Sequence, residues 1–303
     1  MKTVILDGYT VNPGDLSWEA LGAFGPLTVY DRTNGGDIIK RIGDCEAVFT
    51  SKCRITADVM DACPSMKFIG VLATGYDNID IKAAAERNIA VCNVPAYSTE
   101  GVAQHAFALL LELCGHVGLH NEAVQQGKWS SCPDFSMVLR PMFQLSGKSL
   151  GIIGYGTIGK RVGQIAEAFG MNVYPYSREP EKALAADVLT LHCPATPENK
   201  GFINKEFISR MKDGAYLINT ARGALINEAD LAEAVKSGKL AGAAVDVVSK
   251  EPIDPSNPLL GVDNIIITAH MAWTTEEARE IICATCADNL RAFTEGKVLN
   301  RIV

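Results

Sequence analysis

Three residues whose side chains suit acid–base chemistry, Arg222, Glu251 and His270, each lie shortly after an apolar run in the second half of the chain. Arginine offers a planar pair of donors that matches a carboxylate. Histidine exchanges a proton near neutral pH, and a carboxylate beside it orients its ring. Together they suit reduction of a carbonyl next to a carboxylate. Singly, they could be a surface cation, a loop carboxylate and a polar residue at a strand end.

The elements that must position these residues form a regular series. Strands that alternate with helices predict a doubly wound parallel sheet, and such a sheet collects ligands at the carboxyl ends of its strands. We therefore expect the three side chains to converge at one edge. The six predicted strands are Leu150–Ile153, Val173–Tyr176, Val188–Leu191, Ala215–Asn219, Ala243–Val247 and Ile265–Thr268.

A glycine-rich turn follows the first strand of this series and opens a predicted helix. It has the spacing Gly154-x-Gly156-x-x-Gly159, with Tyr155, Thr157 and Ile158 between the glycines. The first glycine permits a tight turn, the second lets the backbone approach a pyrophosphate, and the third allows close packing of helix on strand. The free amides of the helix N-terminus then face the phosphates. In this context the motif predicts a dinucleotide site rather than an ordinary turn.

The second strand of the series indicates which dinucleotide is bound. An acidic residue is expected at its end where the cofactor carries a free ribose 2′-hydroxyl, but here Ser177 and Arg178 stand there. A hydroxyl beside a guanidinium suits a 2′-phosphate, so NADP is slightly favoured over NAD. Alternatively, Arg178 stacks on the adenine or points to solvent.

The first hundred residues carry a second α/β series, with short apolar runs at 3–6, 27–30, 47–50, 68–73 and 89–92. A helical pattern from about Glu100 to Gln126 follows it, and then a polar, aromatic segment, GKWSSCPDFS, that we expect to be an exposed loop. The chain length suits two domains. Their junction is expected near Tyr97–Glu100.

The composition narrows the possible partners and location. A net charge of −7 disfavours nucleic acid and anionic membranes as partners. No run approaches the length of a membrane span, and the N-terminal run is too short for a secretory signal. Nine scattered cysteines predict reduced thiols in the cytoplasm, and Cys283 and Cys286 lack the second ligand pair of a metal site. No metal is predicted.

Over essentially its whole length the chain resembles the D-isomer-specific 2-hydroxyacid dehydrogenase family. Within that family it is most similar to the glycerate dehydrogenase and hydroxypyruvate reductase types. The stretches that carry the resemblance are ATGYDNID (73–80), NVPAYSTEGVAQHAFALLL (93–111), LSGKSLGIIGYGTIG (145–159), LHCPATPEN (191–199), LINTARGALINEADL (217–231), AAVDVVSKEP (243–252) and TAHMAWTTEEAR (268–279).

The resemblance implies a role for each site residue. Arg222 would bind the carboxylate and carbonyl of a small 2-keto acid, His270 would donate the proton, and Glu251 would be its partner. Asp246 would hold the nicotinamide carboxamide. The remaining residues implied are Cys193, Pro194, Thr220 and Ala221 at the cofactor, and the backbone amides of Ala73, Thr74 and Gly75 at the substrate carboxylate.

The resemblance also implies the architecture. A Rossmann doubly wound domain, residues 99–284, would bind the dinucleotide. A flavodoxin-like α/β substrate domain, residues 1–98, would be completed by residues 285–303. The helix at 100–126 would form the surface of a homodimer.

The sequence departs from the family pattern at two places, and it leaves alternative functions open. Ser177 and Arg178 replace the usual acidic end, and the segment 179–186 is shorter than the helix usual in the family. A dinucleotide-sensing scaffold like the corepressors of this fold, or a phosphoglycerate dehydrogenase, remain alternatives. Three residues have both a site role and a structural role open: His192 at the cofactor, Trp273 near the substrate, and Lys52 as a cation for an anionic substrate.

Overall fold

The computed structural model describes all 303 residues. It divides into two compact units, Met1–Ser98 with Thr274–Val303, and Thr99–Trp273. Both are α/β, as the alternation of apolar runs and helical segments predicts.

The first unit contains a five-stranded parallel sheet in the order β2-β1-β3-β4-β5, which is the flavodoxin-like order. Its core is formed by buried aliphatic and sulfur side chains from the strands and the helices that cover them. The strands are β1 (Thr3–Ile5), β2 (Leu27–Val29), β3 (Ala47–Thr50), β4 (Phe68–Val71) and β5 (Ala90–Cys92); the helices are α1 (Glu19–Gly22), α2 (Ile38–Ile42), α3 (Ala57–Ala62), α4 (Ile81–Glu86) and α11 (Glu276–Thr294).

The C-terminal helix α11 belongs wholly to the first unit. It begins at Thr275, whose hydroxyl accepts a hydrogen bond from the Ala278 amide, and it packs on α1 and β4. The domain boundary expected from the sequence, at residue 284, falls inside this helix. A continuous, capped helix cannot be divided there without separating turns that bury one common face.

The second unit contains a six-stranded parallel sheet in the order β11-β10-β9-β8-β6-β7. Buried clusters fill both faces of this sheet. The strands are β6 (Ser149–Ile153), β7 (Asn172–Pro175), β8 (Val188–Leu191), β9 (Ala215–Asn219), β10 (Leu240–Val245) and β11 (Ile265–Ile267); the helices are α5 (Thr99–Gly115), α6 (Val117–Gln125), α7 (Thr157–Ala168), α8 (Pro180–Leu184), α9 (Lys205–Arg210) and α10 (Glu228–Lys236).

Strand β7 forms one edge of this sheet, which shapes the dinucleotide region. In the common dinucleotide-binding order another strand lies beyond the second one, but here the chain turns through α8 and enters β8 directly. Pro175 closes β7, as an edge strand permits. The short segment 179–186 therefore leaves no room for a further strand, and the sheet ends at β7.

The expectation of one helix from Glu100 to Gln126 is wrong. His116 adopts a left-handed backbone conformation with φ 49°, which ends α5 at Gly115, and α6 starts at Val117 after a bend of 60°. A right-handed helix cannot continue through such a residue. The apolar residues spaced along one face of this pattern, Val102, Leu109 and Leu113, are nonetheless buried, because they all lie within α5.

No single helix is long and apolar enough to cross a membrane. The bent pair α5–α6 reaches the required length and composition when both helices are taken together. Since α5 is a core helix with more than half of its residues buried, this is weak evidence for a span.

Candidate active site

The glycine turn after β6 has the geometry that its spacing predicts. Gly154 has φ +93°, and a Cβ there would lie 2.4 Å from the Cys193 amide nitrogen. A Cβ on Gly159 would lie 2.2 Å from the Gly154 carbonyl oxygen. Both positions therefore require glycine. Gly156 differs, because a Cβ there would meet no atom within 4 Å, so its backbone borders open space.

The N-terminus of α7 is an open anion site. Gly156 is its N-cap and has no side chain with which to cap the helix. The first amides of a helix have no partner within it, and they attract anions together with the helix dipole. Thr157 and Ile158 begin the helix at this point, and Tyr155 packs against the core below. These residues fit a dinucleotide pyrophosphate.

The residues after β7 are Tyr176, Ser177 and Arg178, and the first carboxylate, that of Glu179, comes only after them. The guanidinium of Arg178 lies 5.6 Å from the centre of the Tyr155 ring, within the range of a cation–π contact. This contact directs Arg178 toward the glycine turn. Ser177 is adjacent and partly buried.

The turn after β9 presents Arg222. The buried side chain of Asn219 organises this turn, because its amide donates to the Arg222 carbonyl at 2.9 Å and its oxygen accepts from the Ala221 amide at 3.0 Å. The Arg222 side chain is exposed, and its Nη1 donates a hydrogen bond to the Ala221 carbonyl at 2.8 Å. Its other donors have no partner in the protein, so they can bind an anion.

The turns after β10 and β11 bring His270 and Glu251 together. His270 Nδ1 lies 2.7 Å from Glu251 Oε2, and both side chains are about one-third exposed. A carboxylate accepts, so Nδ1 carries the proton of this hydrogen bond and Nε2 is left for another partner. His270 has φ 52°, a left-handed conformation that is uncommon for residues other than glycine.

Asp246 holds the turn that contains His270. Its backbone oxygen accepts from the His270 amide at 2.7 Å, and its carboxylate accepts from the amides of Met271 and Ala272, each at 2.9 Å. Burial by itself would raise the pKa of Asp246, but hydrogen bonds from His105, Thr268 and these amides lower it below its ordinary value. Asp246 is therefore a buried carboxylate, 1% exposed, whose partners fix the left-handed turn.

The loop after β8 packs closely against the glycine turn, because the backbone of His192 and Cys193 lies next to Gly154. The His192 amide donates to the Ile153 carbonyl at 2.7 Å, and Cys193 and Pro194 follow. Burial lowers the pKa of His192 to about 4, so its imidazole is neutral. Two buried atoms here, His192 Nδ1 and Thr220 Oγ1, have no hydrogen-bond partner in the protein. Such atoms are rare in folded proteins, and these follow neighbouring strands.

Along the sheet edge these turns follow the strand order. His270, Glu251, Arg222, His192 and the glycine turn come after β11, β10, β9, β8 and β6, and Ser177 comes after β7 at the end. All six strands are parallel, but the strand order reverses between β6 and β8, and sheets of this kind bind ligands at such a switch point. The fold thus brings all the site residues predicted in the second unit to one edge.

The predicted substrate residues Ala73, Thr74 and Gly75 lie in the first unit, in a bend after β4. None of their three backbone amides donates a hydrogen bond within the protein. Consecutive unpaired amides form an anion-binding concavity. Lys52, on the loop after β3, has an exposed side chain, and its backbone amide donates to Asp7 at 2.6 Å.

Two further residues, His105 and Thr268, contact Asp246 or its partner and were not among the site residues expected from the sequence. His105 Nε2 lies 3.0 Å from Thr268 Oγ1 and 3.4 Å from Asp246 Oδ1. The signal was present, because His105 lies three residues after Val102 and four before Leu109, on the buried stripe of α5. A polar residue in such a stripe needs a polar partner.

Comparison with known families and proteins agrees with this geometry. Residues 107–272 match the family described as D-isomer specific 2-hydroxyacid dehydrogenase, NAD binding domain. The chain is 47% identical to a hydroxypyruvate reductase from Blautia hydrogenotrophica, with 99% of each chain covered. It is 37% identical to a glycerate dehydrogenase from Methylorubrum extorquens, with 87% of each covered.

A solved structure shares the fold over the full length. The TT0316 protein from Thermus thermophilus superposes with a TM-score of 0.87 at 32% identity, covering all of both chains. The chain belongs to the D-isomer-specific 2-hydroxyacid dehydrogenase family.

Proposed function

We propose that this protein reduces a small 2-keto acid to a D-2-hydroxy acid with a nicotinamide dinucleotide, and that hydroxypyruvate and glyoxylate are its substrates. The observation that carries the proposal is the His270–Glu251 hydrogen bond of 2.7 Å, on the same sheet edge as the open glycine turn. The name of the Blautia relative, hydroxypyruvate reductase, supports the choice of hydroxypyruvate.

We assign the catalytic roles from the hydrogen bonds that each side chain makes within the protein and from the donors that remain available to a substrate. Arg222 binds the substrate carboxylate and polarises the adjacent carbonyl, because its guanidinium keeps unpaired donors. His270 gives a proton from Nε2 to the carbonyl oxygen as negative charge develops there. Glu251 keeps Nδ1 engaged, orients the ring and stabilises its protonated form. The unpaired amides of Ala73, Thr74 and Gly75 bind the carboxylate of the substrate.

The cofactor would supply the hydride. The amides of Thr157, Ile158 and Gly159 would hold its pyrophosphate at the α7 N-terminus, with Gly154, Tyr155 and Gly156 forming the turn. At its nicotinamide end it would lie beside Thr220, Ala221 and Asp246, and Cys193 and Pro194 would line its middle. The orphaned Thr220 hydroxyl supports this placement, since a bound group would give it a partner.

We propose NADP as the preferred cofactor. The sheet ends at β7, and Ser177 and Arg178 stand where an acidic residue would contact a ribose hydroxyl. A guanidinium can bind a 2′-phosphate, which a carboxylate would repel. The contact of Arg178 with Tyr155 places its charge near the glycine turn.

We also propose a homodimer; because much of α5 is buried, we place its interface at residues 111–142 rather than along the whole helix expected at 100–126. This segment holds eight of the eighteen exposed large apolar side chains, including Phe135, which is 93% exposed. Clustered apolar exposure of this kind marks an interface. A pocket of about 450 Å³, lined by Leu113, Tyr216 and Ile265 among others, adjoins it. We propose a second copy of this chain as its occupant, and Phe135→Asp should shift the sedimentation of the protein toward the monomer without loss of fold.

The nine cysteines are all free thiols. Free thiols fit a reducing compartment, and we propose the cytoplasm.

Steady-state kinetics test the main proposal. Rates for hydroxypyruvate, glyoxylate, pyruvate and 3-phosphohydroxypyruvate, each with NADH and NADPH, would rank the substrates and cofactors. We expect the highest kcat/KM for hydroxypyruvate or glyoxylate with NADPH. If none of the four acids is reduced with either cofactor, the proposal is wrong, and a dinucleotide-sensing scaffold would become the better explanation. A clear preference for the phosphorylated acid would instead indicate a phosphoglycerate dehydrogenase.

A further inference from the structure

Three asparagines form a chain of hydrogen bonds inside the first unit. Asn300 Nδ2 donates to Asn289 Oδ1 at 2.9 Å, and Asn289 Nδ2 donates to the Asn93 carbonyl at 2.9 Å. Asn93 Nδ2 in turn donates to the Thr74 carbonyl at 2.8 Å. Asn289 is 1% exposed and Asn93 8%. The chain joins the C-terminal tail, α11 and the end of β5 to the bend after β4.

The direction of these bonds is fixed by the acceptors. The carbonyls of Thr74 and Asn93 can only accept, so the side chains of Asn93 and Asn289 must each present an amide nitrogen to them. The oxygen of Asn289 then faces the amide of Asn300. Every bond therefore runs from donor to acceptor toward Thr74.

The bend at the end of this chain has satisfied acceptors and unsatisfied donors. The Ala73 carbonyl accepts from the Val94 amide at 3.1 Å, and the Thr74 hydroxyl donates to the Val94 carbonyl at 2.8 Å. The amides of Ala73, Thr74 and Gly75 have no partner. A peptide group whose oxygen accepts a hydrogen bond becomes a stronger donor through its own N–H. The bond from Asn93 to Thr74 therefore strengthens the Gly75 amide as a donor to an anion.

We propose that Asn93 is a positioning residue for the substrate carboxylate, supported from behind by Asn289. It holds the Thr74–Gly75 peptide in place and polarises it, so it sets the affinity for the 2-keto acid rather than the rate of proton and hydride transfer. The inference rests on the proposed function, because it takes Ala73–Gly75 as the carboxylate-binding turn.

A purely structural role predicts a different order of effects. If the asparagines only satisfy buried carbonyls, damage follows burial, and replacement of Asn289 should harm the protein most. If Asn93 positions the turn, the rise in KM follows proximity to Thr74, in the order Asn93, Asn289, Asn300. The two explanations therefore differ in which replacement has the largest effect, that of Asn289 for a structural role and that of Asn93 for a positioning role.

The experiment compares Asn93→Ala, Asn289→Leu and Asn300→Ala in the full chain. For each we would measure kcat and KM for glyoxylate at saturating cofactor, the inhibition constant of oxalate as an unreactive carboxylate, the Kd of NADPH by fluorescence, and Tm. We expect Asn93→Ala to raise KM and the inhibition constant about tenfold, near the upper end of the change that loss of one neutral hydrogen bond produces. Asn289→Leu should raise KM and the inhibition constant less than Asn93→Ala does. Asn300→Ala should leave both within about twofold of the parent protein.

The controls separate positioning from stability. The kcat and the NADPH Kd should stay close to those of the parent protein in all three variants. Asn204→Ala removes the N-cap of α9, where Asn204 accepts from the Phe207 amide at 3.0 Å, and should lower Tm without changing KM. If Asn93→Ala does not fold, Asn93→Ser, which keeps a shorter polar group, replaces it with the same expectation.

The outcomes are distinct for the two proposals. If the parent protein reduces glyoxylate and Asn93→Ala or Asn93→Ser leaves KM within twofold, or if KM rises most in Asn289→Leu, the positioning role is overturned while the proposed function stands. If the parent protein reduces no 2-keto acid, the proposed function itself fails.

Discussion

Thr268 Oγ1 donates a hydrogen bond of 2.6 Å to Asp246 Oδ1, and this bond joins the end of β11 to the end of β10. A hydroxyl has one proton, so His105 Nε2, 3.0 Å from the same oxygen, must be the donor in its own contact with Thr268. Helix α5 is thereby connected to the turn that carries His270. The left-handed conformation of His270 is stabilised by bonds that converge on one buried carboxylate.

This relationship predicts the effect of Thr268→Val. The change keeps the shape of the side chain but removes the hydroxyl, so Asp246 loses a donor and His105 loses an acceptor. We expect kcat to fall about tenfold, because a lost hydrogen bond to a buried charge disturbs the His270 turn. Thr268→Ser keeps the hydroxyl and should restore most of the rate. Equal rates in the Val and Ser variants would contradict this account.

Replacement of His270 tests the proton donor directly. His270→Ala should lower kcat about 10²- to 10⁴-fold, the usual contribution of a general acid. The Kd of the cofactor, measured by fluorescence titration, should be unchanged. His120→Ala is the matched control, because His120 bonds only to the His116 carbonyl and the Leu139 amide. A parallel loss of cofactor binding in His270→Ala would show that the residue acts on binding instead.

The glycine turn, and the positions of Arg222, Glu251 and His270 at one edge of the sheet, could be predicted from the sequence, because each lies in a turn or loop after a strand. The strand order makes their convergence a consequence of parallel pairing. Arg178 was likewise apparent from its position after β7. These predictions needed only short-range pattern and the rule for parallel sheets.

Other features depend on contacts that sequence pattern does not encode. The break at His116 follows from one left-handed residue within a helical pattern, and nothing in the local periodicity indicates it. Asn93 is far in sequence from Asn289 and Asn300, and it meets them because α11 and the C-terminal tail pack on the sheet. The partners of Asp246 come from three segments, so its hydrogen bonds could not be inferred from the motif that contains it.

Arg222→Lys tests the geometry of anion binding rather than its charge. Lysine keeps the positive charge but loses the planar pair of donors. We expect kcat/KM for glyoxylate to fall about 10- to 100-fold, as for a lost hydrogen bond between charged groups. Arg161→Lys is the control, because Arg161 pairs with Glu100 at the surface, where such a change has little effect. Full activity in Arg222→Lys would mean that Arg222 acts as a point charge.

Asp187 connects stability with pH in the second unit. Burial by itself would raise the pKa of Asp187, but Lys212 and Ser149 lower it to about 2, from an ordinary value of 3.8. The folded state therefore favours the ionised form, so the stabilisation is present above about pH 4 and is lost as the pH falls toward 2.

Asp187→Asn should thus lower the free energy of unfolding by about 1–2 kcal/mol at pH 7. In urea titrations the difference between this variant and the parent protein should shrink below pH 4. Asp213→Asn removes an exposed partner of Lys239 and should change stability little at any pH. A difference for Asp187→Asn that persists unchanged at pH 2 would refute the assigned ionisation.

The end of β7 gives the prediction that separates the two cofactors. Ser177→Asp places a carboxylate where it can accept from a ribose 2′-hydroxyl and repel a 2′-phosphate. We expect the ratio of kcat/KM for NADPH to that for NADH to fall about tenfold or more, as for loss of one charged contact.

Arg178→Gln tests the same position from the other side. It should lower kcat/KM for NADPH and leave kcat/KM for NADH nearly unchanged. Lys182→Gln is the control, because Lys182 carries the same charge nearby but pairs with Glu179 and lies over Tyr174. If Ser177→Asp and Arg178→Gln affect both cofactors equally, these residues do not read the 2′ position, and the preference must come from another part of the adenosine site.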